Sequence, residues 1–397
     1  MINVIDLFAG CGGLTEGFLQ TKKFKTLAAV DWELPTISTL KNRLKTKWGY
    51  NLSQNNIIHF DIQRTDELIN GFDDPKFGKN NGLDFIIGKN KVDLIIGGPP
   101  CQAYSIAGRV RDKNGMRDDY RNFLFESYVE MVKNYSPKYF VFENVEGMLS
   151  AKPGGVSIID RIKKSFNKIG YDLSPDLRKD ALFDTSYYDV PQKRKRVIIF
   201  GTKKSKESKS KVVKFYQLLN DYKSIHPKTL NGVFDNIPKI YPLKKIIGKN
   251  SHKLISETKI KNHEPRFHNA RDIKIFKLLA NDIDSGQENY TTSKSLIELY
   301  KKHTGKDSKF HKYNVLRNDM PSNTIPAHLY KDGLRHIHPD PKQARTITVR
   351  EAARIQTFDD NFEFLGPRGA QYKMIGNAVP PKFSQKIAEV VLNLYNE

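Results

Sequence analysis

The sequence predicts an α/β protein with a doubly wound, mixed but mostly parallel sheet and a second, smaller domain. Three observations support this prediction. Short apolar runs alternate with amphipathic stretches as far as residue 201, a glycine-rich turn follows the first run, and the alternation then stops. Ordered patterns return from about residue 345. We therefore expect one domain made of residues 1–202 plus 366–397 and a smaller domain made of residues 203–365.

Six apolar, β-branched runs predict the strands, which are in chain order NVIDLFAG, TLAAVDW, NIIHFDI, VDLIIGG, KYFVFENV and RVIIFGT. The stretches between them, such as FLFESYVEMVKNY, predict helices because their apolar residues recur at helical spacing. Strand–helix–strand repeats produce parallel strands, whose carboxyl ends line a ligand crevice. KKSKESKSK predicts an exposed linker. The amphipathic stretch that follows Pro380 and Pro381 predicts a further helix, because proline is tolerated in a first turn.

The charge balance is strongly positive and uneven. The chain of 397 residues has 66 Lys and Arg against 44 Asp and Glu, a net charge of +22, and residues 201–320 alone hold 26 against 12. Such an excess favours DNA or RNA as a partner, although a solubilising surface would also produce it. Two cysteines exclude a disulfide framework, no Cys/His cluster indicates a metal site, and no apolar stretch is long enough to cross a bilayer. We expect a soluble, cytoplasmic protein with no metal and no membrane partner.

The segment DLFAGCGG is a glycine turn between a predicted strand and a predicted helix. Glycines such as Gly10 and Gly12 allow the tight turn and let a ligand approach the backbone closely. Asp31 ends the next strand, where a carboxylate can bind ribose hydroxyls. Trp32 offers a flat face to an adenine ring, and Asp61 can accept a hydrogen bond from the adenine amino group. These features favour an adenosine-containing cofactor. The alternative is that the tryptophan belongs to the core and the aspartates are helix caps.

Three later segments carry reactive groups near predicted strands. In GGPPCQAYS two prolines stiffen the chain and fix Cys101 at a strand end, where its thiolate could act as a nucleophile. Glu143 in FENV would lie beside Cys101 if their two strands are neighbours, and could then bind a base edge and transfer a proton. In QKRKRV, alternation places Gln192, Arg194 and Arg196 on one face, where arginine can bind phosphate or a base carbonyl. An inert thiol, a solvated glutamate and a basic edge strand are the alternatives.

In this order the segments resemble the motifs of the DNA (cytosine-5) methyltransferase family of the bacterial restriction–modification type. DLFAGCGG is similar to its cofactor loop, GGPPCQAYS to its nucleophile motif, ENV to its glutamate motif and QKRKR to its Q-x-R-x-R motif. RTITVREAARIQTF and QYKMIGNAVPP are similar to its last two motifs. The resemblance covers residues 1–202 and 340–397. It implies a Rossmann-like catalytic domain that binds S-adenosyl-L-methionine, and a target-recognition role for the smaller domain.

The resemblance also implies roles for individual residues. It implies that Cys101 adds to C6 of a cytosine flipped out of duplex DNA, that Glu143 binds N3 and that Arg194 binds the O2 side, so that a methyl group reaches C5. It implies that residues 102–122 form a loop that closes over the base. The residues that it places around the cofactor are Phe8, Gly10, Gly12, Asp31, Trp32, Asp61, Ile62, Pro99, Leu124 and Asn377. Those that it places on the DNA or the target base are Gln102, Ser105, Arg109, Gln192, Arg196, Arg345 and Thr348.

Other functions stay open at this point. A relative with the same motifs could methylate transfer RNA, and a vestigial enzyme domain could bind nucleic acid without catalysis. A nicotinamide dehydrogenase would leave the cysteine and the two late motifs unexplained. Four departures from the family's pattern, at Ala103, Tyr104, Asn122 and Asp189, remove no catalytic group. We expect a monomer that acts on double-stranded DNA in a short recognition sequence and is paired with a restriction endonuclease.

Overall fold

The computed structural model of the chain describes residues 1–52, 55–100 and 124–397. These residues form two compact units. Unit 1 consists of Met1–Asp189, Arg194–His226 and Ala378–Glu397, and unit 2 consists of Val190–Lys193 and Pro227–Asn377. The domain boundaries at residues 202 and 366 stay a prediction. None of the helices in the described ranges is both long enough and apolar enough to span a bilayer.

The strands of unit 1 form one large sheet and one small hairpin. In chain order they are β1 (Ile2–Leu7), β2 (Phe24–Asp31), β3 (Ile57–His59), β4 (Phe72–Asp74), β5 (Gly78–Asn80), β6 (Leu94–Gly97), β7 (Tyr139–Val145), β8 (Tyr171–Leu173), β9 (Leu182–Asp184) and β10 (Lys195–Lys203). The eight-stranded sheet has the order β3-β2-β1-β6-β7-β10-β8, with β9 paired to β10, while β4 and β5 form the hairpin. Unit 2 contains β11 (Ile240–Ile247) and β12 (Asn250–Leu254).

The helices in the described ranges are, in chain order, α1 (Gly13–Gln20), α2 (Leu34–Trp48), α3 (Thr65–Asn70), α4 (Gly82–Ile87), α5 (Leu124–Tyr135), α6 (Ile158–Lys168), α7 (Leu177–Asp180), α8 (Ser208–Asp221), α9 (Ala270–Asp284), α10 (Ser293–Thr304), α11 (Val349–Ile355), α12 (Arg368–Asn377) and α13 (Pro381–Asn396). Helices α9 to α12 belong to unit 2 and the others to unit 1. Short 3-10 turns lie at Glu146–Ser150, Pro153–Gly155 and Thr185–Tyr187.

The sheet confirms the predicted fold class. Strands β3, β2, β1, β6 and β7 are parallel to one another, and β10 is antiparallel to β7, β8 and β9. From β1 the chain first builds outward to β2 and β3 and then crosses back to β6, on the other side of β1. This reversal of strand order is a topological switch point, and open α/β sheets bind ligands at the strand ends beside such a point.

Two glycines allow α13 to pack against α1, although the two helices lie at opposite ends of the sequence. A Cβ atom at Gly13 would collide with the carbonyl oxygen of Val379, and one at Gly17 would lie 2.5 Å from the Cβ of Ser384. The Ser384 hydroxyl also donates a hydrogen bond of 2.8 Å to the Leu14 carbonyl. These glycines therefore serve close helix packing, a role that the sequence does not distinguish from turn formation.

The segment KKSKESKSK is an exposed linker only in part, because α8 begins inside it at Ser208. Val212, Phe215 and Leu219 are buried at helical spacing. The ring of Phe215 stacks on Phe200 of β10, with a centroid separation of 4.2 Å. The prediction of a linker was therefore wrong for residues 208–211, which form the first turn of this amphipathic helix.

Candidate active site

The carboxyl ends of the parallel strands meet at one edge of the sheet in unit 1. The register places Leu7 of β1 beside Val30 of β2 and Gly97 of β6, and places Gly97 beside Phe142 of β7. Strand β3 ends beside the end of β2. Residues that follow these strands therefore gather at this edge, as the strand-end rule predicts.

The turn that follows β1 has an unusual backbone. Phe8, Gly10 and Gly12 have φ angles of 57°, 58° and 92°, and such an angle is uncommon for a residue with a Cβ atom such as Phe8. The Gly10 amide donates a hydrogen bond of 2.9 Å to the Asp31 Oδ2 atom, which fixes the turn to the end of β2. A Cβ at Gly12 would collide with Leu40, whereas a Cβ at Gly10 would meet no atom of the described residues within 4 Å. Open space therefore adjoins Gly10, and Gly12 is needed for packing.

Two carboxyl groups stand next to this turn. Asp31 accepts hydrogen bonds of 2.9 Å from the amides of Gly10 and Glu33, yet burial raises its pKa to about 6. Asp6, in β1, is fully buried and accepts a hydrogen bond from the Thr15 hydroxyl. Burial, with a smaller contribution from the charge of Asp31, raises the pKa of Asp6 to about 7. This part of unit 1 therefore favours a proton or a bound positive charge.

The other predicted cofactor residues of unit 1 are placed as follows. Trp32 is 52% exposed, so the alternative of a core tryptophan is wrong, and Lys76 Nζ lies 5.1 Å from its ring centroid. Asp61 Oδ1 accepts a hydrogen bond of 3.0 Å from the Gln63 amide, and Ile62 is buried beside it. Pro99 is buried just after β6, and Leu124 is buried at the start of α5. Asn377 is exposed at the end of α12 and belongs to unit 2.

Glu143 lies near the end of β7 and is bound by an arginine of the neighbouring strand. Arg196 Nε is 2.8 Å from Glu143 Oε1, and the two side chains are 12% and 11% exposed. Gly98, directly after β6, leaves room for this carboxylate, because a Cβ there would lie 2.6 Å from Oε2. Burial raises the pKa of Glu143, and the positive charges of Arg196 and Arg194 oppose that rise. The carboxyl group can therefore carry a proton more readily than an exposed glutamate.

The two arginines of QKRKR have different surroundings. Arg194 is fully buried and donates a hydrogen bond of 3.0 Å to the Ala378 carbonyl, so it ties the start of β10 to the segment before α13. Arg196 lies within β10 and faces Glu143. Gln192 belongs to unit 2, outside the strand. Of the three residues only Arg196 lies inside β10, so the predicted strand alternation does not extend over 192–196.

Asn144 holds the chain that leads to the predicted nucleophile. Its Nδ2 donates a hydrogen bond of 3.2 Å to the Pro99 carbonyl, and its Oδ1 accepts one of 2.8 Å from the Val145 amide. The sequence contains this residue in FENV but gives no sign of its role. Cys101, Gln102, Ser105 and Arg109, together with the predicted loop 102–122, lie outside the described residues.

Three residues that the resemblance places on DNA are buried in unit 2. Gln192 donates from Nε2 to Gln356 Oε1 at 3.1 Å and accepts from the Ile325 amide at 2.9 Å. Arg345 is 1% exposed and forms a two-point ion pair with Glu351, at 2.7 and 2.6 Å. Their predicted contacts with DNA stay predictions, and the bonds described here give each of them a part in holding unit 2 together.

Thr348 is the N-cap residue of α11, and its hydroxyl accepts a hydrogen bond of 3.2 Å from the Glu351 amide. Glu351 Oε2 in turn accepts one of 2.8 Å from the Thr348 amide, which completes a capping box. Burial would raise the pKa of Glu351, but the Arg345 guanidinium holds it well below the usual value. Within residues 1–52, 55–100 and 124–397, no group of His, Cys, Asp and Glu is arranged to hold a metal ion.

Comparisons with known proteins agree with this arrangement. The profile of the C-5 cytosine-specific DNA methylase family matches residues 2–393. The type II methyltransferase M.Bpa9945I of Bacillus paralicheniformis is 35% identical, with 99% of both chains covered. M.DdeI of Desulfomicrobium norvegicum is 30% identical, with 100% of this chain and 91% of the relative covered.

The fold is also similar to two solved structures over the whole of each chain. One is a prophage-encoded protein of Escherichia coli assigned to the DNA modification methyltransferases, with a TM-score of 0.60 and 23% identity. The other is the Dnmt2 methyltransferase of S. pombe, with a TM-score of 0.54 and 14% identity.

Proposed function

Since the chain belongs to the C-5 cytosine-specific DNA methylases and is a DNA cytosine-5 methyltransferase of the restriction–modification type, we propose that it works by covalent catalysis. In this proposal Cys101 is the nucleophile and S-adenosyl-L-methionine is the methyl donor. The observation that carries it is the position of Glu143, which is buried beside Gly98 and paired with Arg196. Gly98 precedes Cys101 by three residues in the chain.

The residues at the strand ends fit the donor. The open space beside Gly10 would take the part of the donor that contacts the protein backbone. Asp31 would bind the ribose, and the exposed face of Trp32 would receive the adenine ring. Asp61 would accept from the adenine amino group. When bound, S-adenosyl-L-methionine supplies an electrophilic methyl group and leaves as S-adenosyl-L-homocysteine. Its positive charge suits a region where Asp6 and Asp31 resist ionisation when no cation is near.

Cytosine C5 is a poor nucleophile, so the ring must first be activated. The Cys101 thiolate adds to C6, and the electron pair displaced from the C5–C6 double bond becomes available at C5. After C5 has been methylated, a base removes the C5 proton, the double bond forms again and the thiolate leaves. Both ring faces must be reached, so the target base has to leave the helical stack of the duplex.

Glu143 would bind the base at N3 and place a proton there. A protonated carboxyl group neutralises the charge that develops in the ring when the thiolate adds to C6. The structure supports this role because burial raises the pKa of Glu143, which favours the protonated form. Arg196 would keep the carboxyl oriented. Because Arg196 contacts Glu143 whereas Arg194 is fully buried, we propose Arg196 for the O2 side of the base in place of the predicted Arg194. Arg194 would support the start of β10 through Ala378.

The test is bisulfite sequencing of DNA from a host without cytosine methylation that expresses the protein. Unconverted cytosines in one recurring short sequence are expected for the wild type. They should be absent for Cys101→Ala and strongly reduced for Glu143→Gln, which keeps the shape of the side chain but cannot supply the carboxyl proton. Complete conversion with soluble wild-type protein present would refute the proposal.

A trapping experiment separates the nucleophile from other losses. When S-adenosyl-L-methionine is supplied, a 5-fluorocytosine at the target of duplex DNA can be methylated at C5 but then has no C5 proton to lose. The thiolate cannot be eliminated from this methylated adduct, so the protein stays bound in denaturing gels. Wild type and Cys11→Ala should both be trapped, because burial raises the pKa of the Cys11 thiol and keeps it inert. Trapping of Cys101→Ala would contradict the assignment.

We also propose that the protein acts as a cytoplasmic monomer paired with a restriction endonuclease. The relatives named above are type II methyltransferases, which supports such a pairing. Light scattering coupled to gel filtration should give the mass of one chain. A nuclease gene beside this one should encode an enzyme that cuts unmethylated DNA and spares DNA methylated by this protein. A stable dimer, or cleavage of the methylated DNA, would contradict these two parts of the proposal.

A further inference from the structure

The hairpin β11–β12 of unit 2 carries a concentrated positive charge. Residues 239–254 contain five lysines and neither Asp nor Glu. Lys244, Lys245 and Lys249 lie toward the tip, and all three are exposed. No ion pair within the described ranges involves any of these three lysines. The positive charge of the tip is therefore not neutralised by a neighbouring acid.

The shape of the hairpin presents these lysines outward. Gly248, with a φ angle of 56°, forms the tight turn between the strands. Between Pro242 and Ile247 the register shifts, so that β11 contains extra residues opposite Ser251. Such a bulge bends the strand and re-aims its side chains. Lys244 and Lys245 lie within this bulge, and Ile247 at the tip is 67% exposed.

The base of the hairpin is firmly held. Ser251 and His252 are buried, and the Ser251 hydroxyl accepts a hydrogen bond of 2.9 Å from the His268 amide. His252 Nε2 lies 3.1 Å from the Gln343 carbonyl oxygen, and Gln343 Oε1 accepts from both the Ile240 amide and the Arg345 guanidinium. The ion pair of Arg345 with Glu351 thus supports the root of the hairpin, while the tip stays in solvent.

Two arginines of unit 2 differ in this respect. Arg317 pairs with Glu288 and Asp319, and Arg271 pairs with Asp272. A surface cation that already has an acidic partner gains less from a phosphate than one without such a partner. Residues 239–254 therefore hold a cluster of cations with no acid among them, which is a good electrostatic match to a polyanion.

We propose that the hairpin β11–β12 is a DNA-contacting element, in which Lys244, Lys245 and Lys249 bind backbone phosphates of the target duplex. A two-stranded ribbon has a width that the major groove of B-DNA admits. Phosphate contacts fix the position of a protein on DNA without reading its sequence. This inference rests on the proposed function, since it names the part of the chain that holds the DNA for methylation.

The test measures how the affinity for DNA depends on salt. The probe is a fluorescently labelled mixed-sequence duplex of 30 base pairs, and the dissociation constant is measured from 50 to 300 mM salt. Loss of three phosphate contacts should lower the slope of log affinity against log salt by about 2.7, from about 0.9 for each contact. The variant is K244Q/K245Q/K249Q. Because the three side chains are exposed, its thermal unfolding should match that of the wild type.

A matched control removes the same number of charges elsewhere in unit 2. Lys302, Lys306 and Lys309 are exposed at and beyond the end of α10, next to Asp307. The variant K302Q/K306Q/K309Q should change the slope by less than one. An equal change in both variants, or no change in the hairpin variant, would overturn the proposal. Methylation of genomic DNA by the wild-type protein is measured in parallel, so a failure of the proposed function would appear there and not in the slope.

Discussion

Replacing Asp6 with Asn removes a carboxyl group that unit 1 buries completely. Its pKa rises from 3.8 to about 7 on folding, so between these pH values the folded protein holds a proton that the unfolded chain has lost. The folded state then binds more protons, and stability falls as pH rises. A difference of about three pKa units, at 1.36 kcal/mol each, gives a loss of about 4 kcal/mol, complete once the pH exceeds the folded pKa.

The assay is urea unfolding of the wild type and of Asp6→Asn from pH 4.5 to pH 8.5. Buried histidines such as His252, whose pKa burial lowers to about 4, make stability rise with pH, but they act equally in both proteins and cancel in the difference. The stability of Asp6→Asn relative to the wild type should therefore improve by about 3 kcal/mol across this range, which begins above the pKa of the unfolded carboxyl. Parallel curves, with a constant difference, would refute the reasoning.

A second variant tests the cause. The Thr15 hydroxyl donates to Asp6 and favours the ionised carboxylate, which lowers its pKa. Thr15→Val should therefore raise the pKa of Asp6 further and move the loss of stability to higher pH. A shift to lower pH would contradict this assignment.

Three further predictions concern other parts of the molecule. Gly98→Ala places a Cβ 2.6 Å from Glu143 Oε2, so the methylation rate should fall at least about tenfold while the melting temperature stays within about 2 °C. Arg345→Ala leaves the buried Glu351 carboxylate without its ion-pair partner and should cost about 3–5 kcal/mol of unfolding free energy. Gly13→Ala forces a Cβ onto a backbone carbonyl and should cost about 1–3 kcal/mol, measured by urea unfolding.

Each of these predictions has its own control. An unchanged rate for Gly98→Ala would show that the carboxyl group is free to move. The double variant R345M/E351L should recover much of the stability that Arg345→Ala loses, because no uncompensated charge remains. For Gly13→Ala, a wild-type stability would contradict the close approach of α1 and α13.

The sheet could be predicted from the sequence because its strands are buried on both faces and appear as continuous apolar runs. The rule that residues after parallel strands gather at one edge of the sheet predicted Glu143 near the predicted nucleophile, provided that their strands are neighbours. The pairing of β6 with β7 confirms that the two strands are neighbours. The antiparallel direction of β10 was harder to predict from the sequence. A strand buried on both faces has the same composition in either direction, so only the connection decides it.

Individual side chains were harder to predict than strands. Gln192 alternates with Arg196 in sequence, but period-two alternation holds only inside a strand, and β10 begins at Lys195. Arginine is usually a surface residue, so the sequence predicts Arg345 on the surface. Its burial depends on the ion pair with Glu351, six residues further along the chain. The spacing of Thr348 and Glu351 does carry a signal, since it is a capping box, and such a box places both residues at a helix start.

The packing of α13 on α1 has a consequence for folding during translation. Unit 1 receives its closing helix only after the whole of unit 2 has been translated, because residues 227–377 come between. At about 5–20 residues per second, a ribosome needs roughly 10–40 s for the stretch from Asp189 to α13. During that time the face of α1 that contains Gly13 and Gly17 is uncovered, and a nascent chain with an exposed apolar helix face is a substrate for chaperones. Unit 1 is therefore expected to complete its packing only after this last helix has been translated.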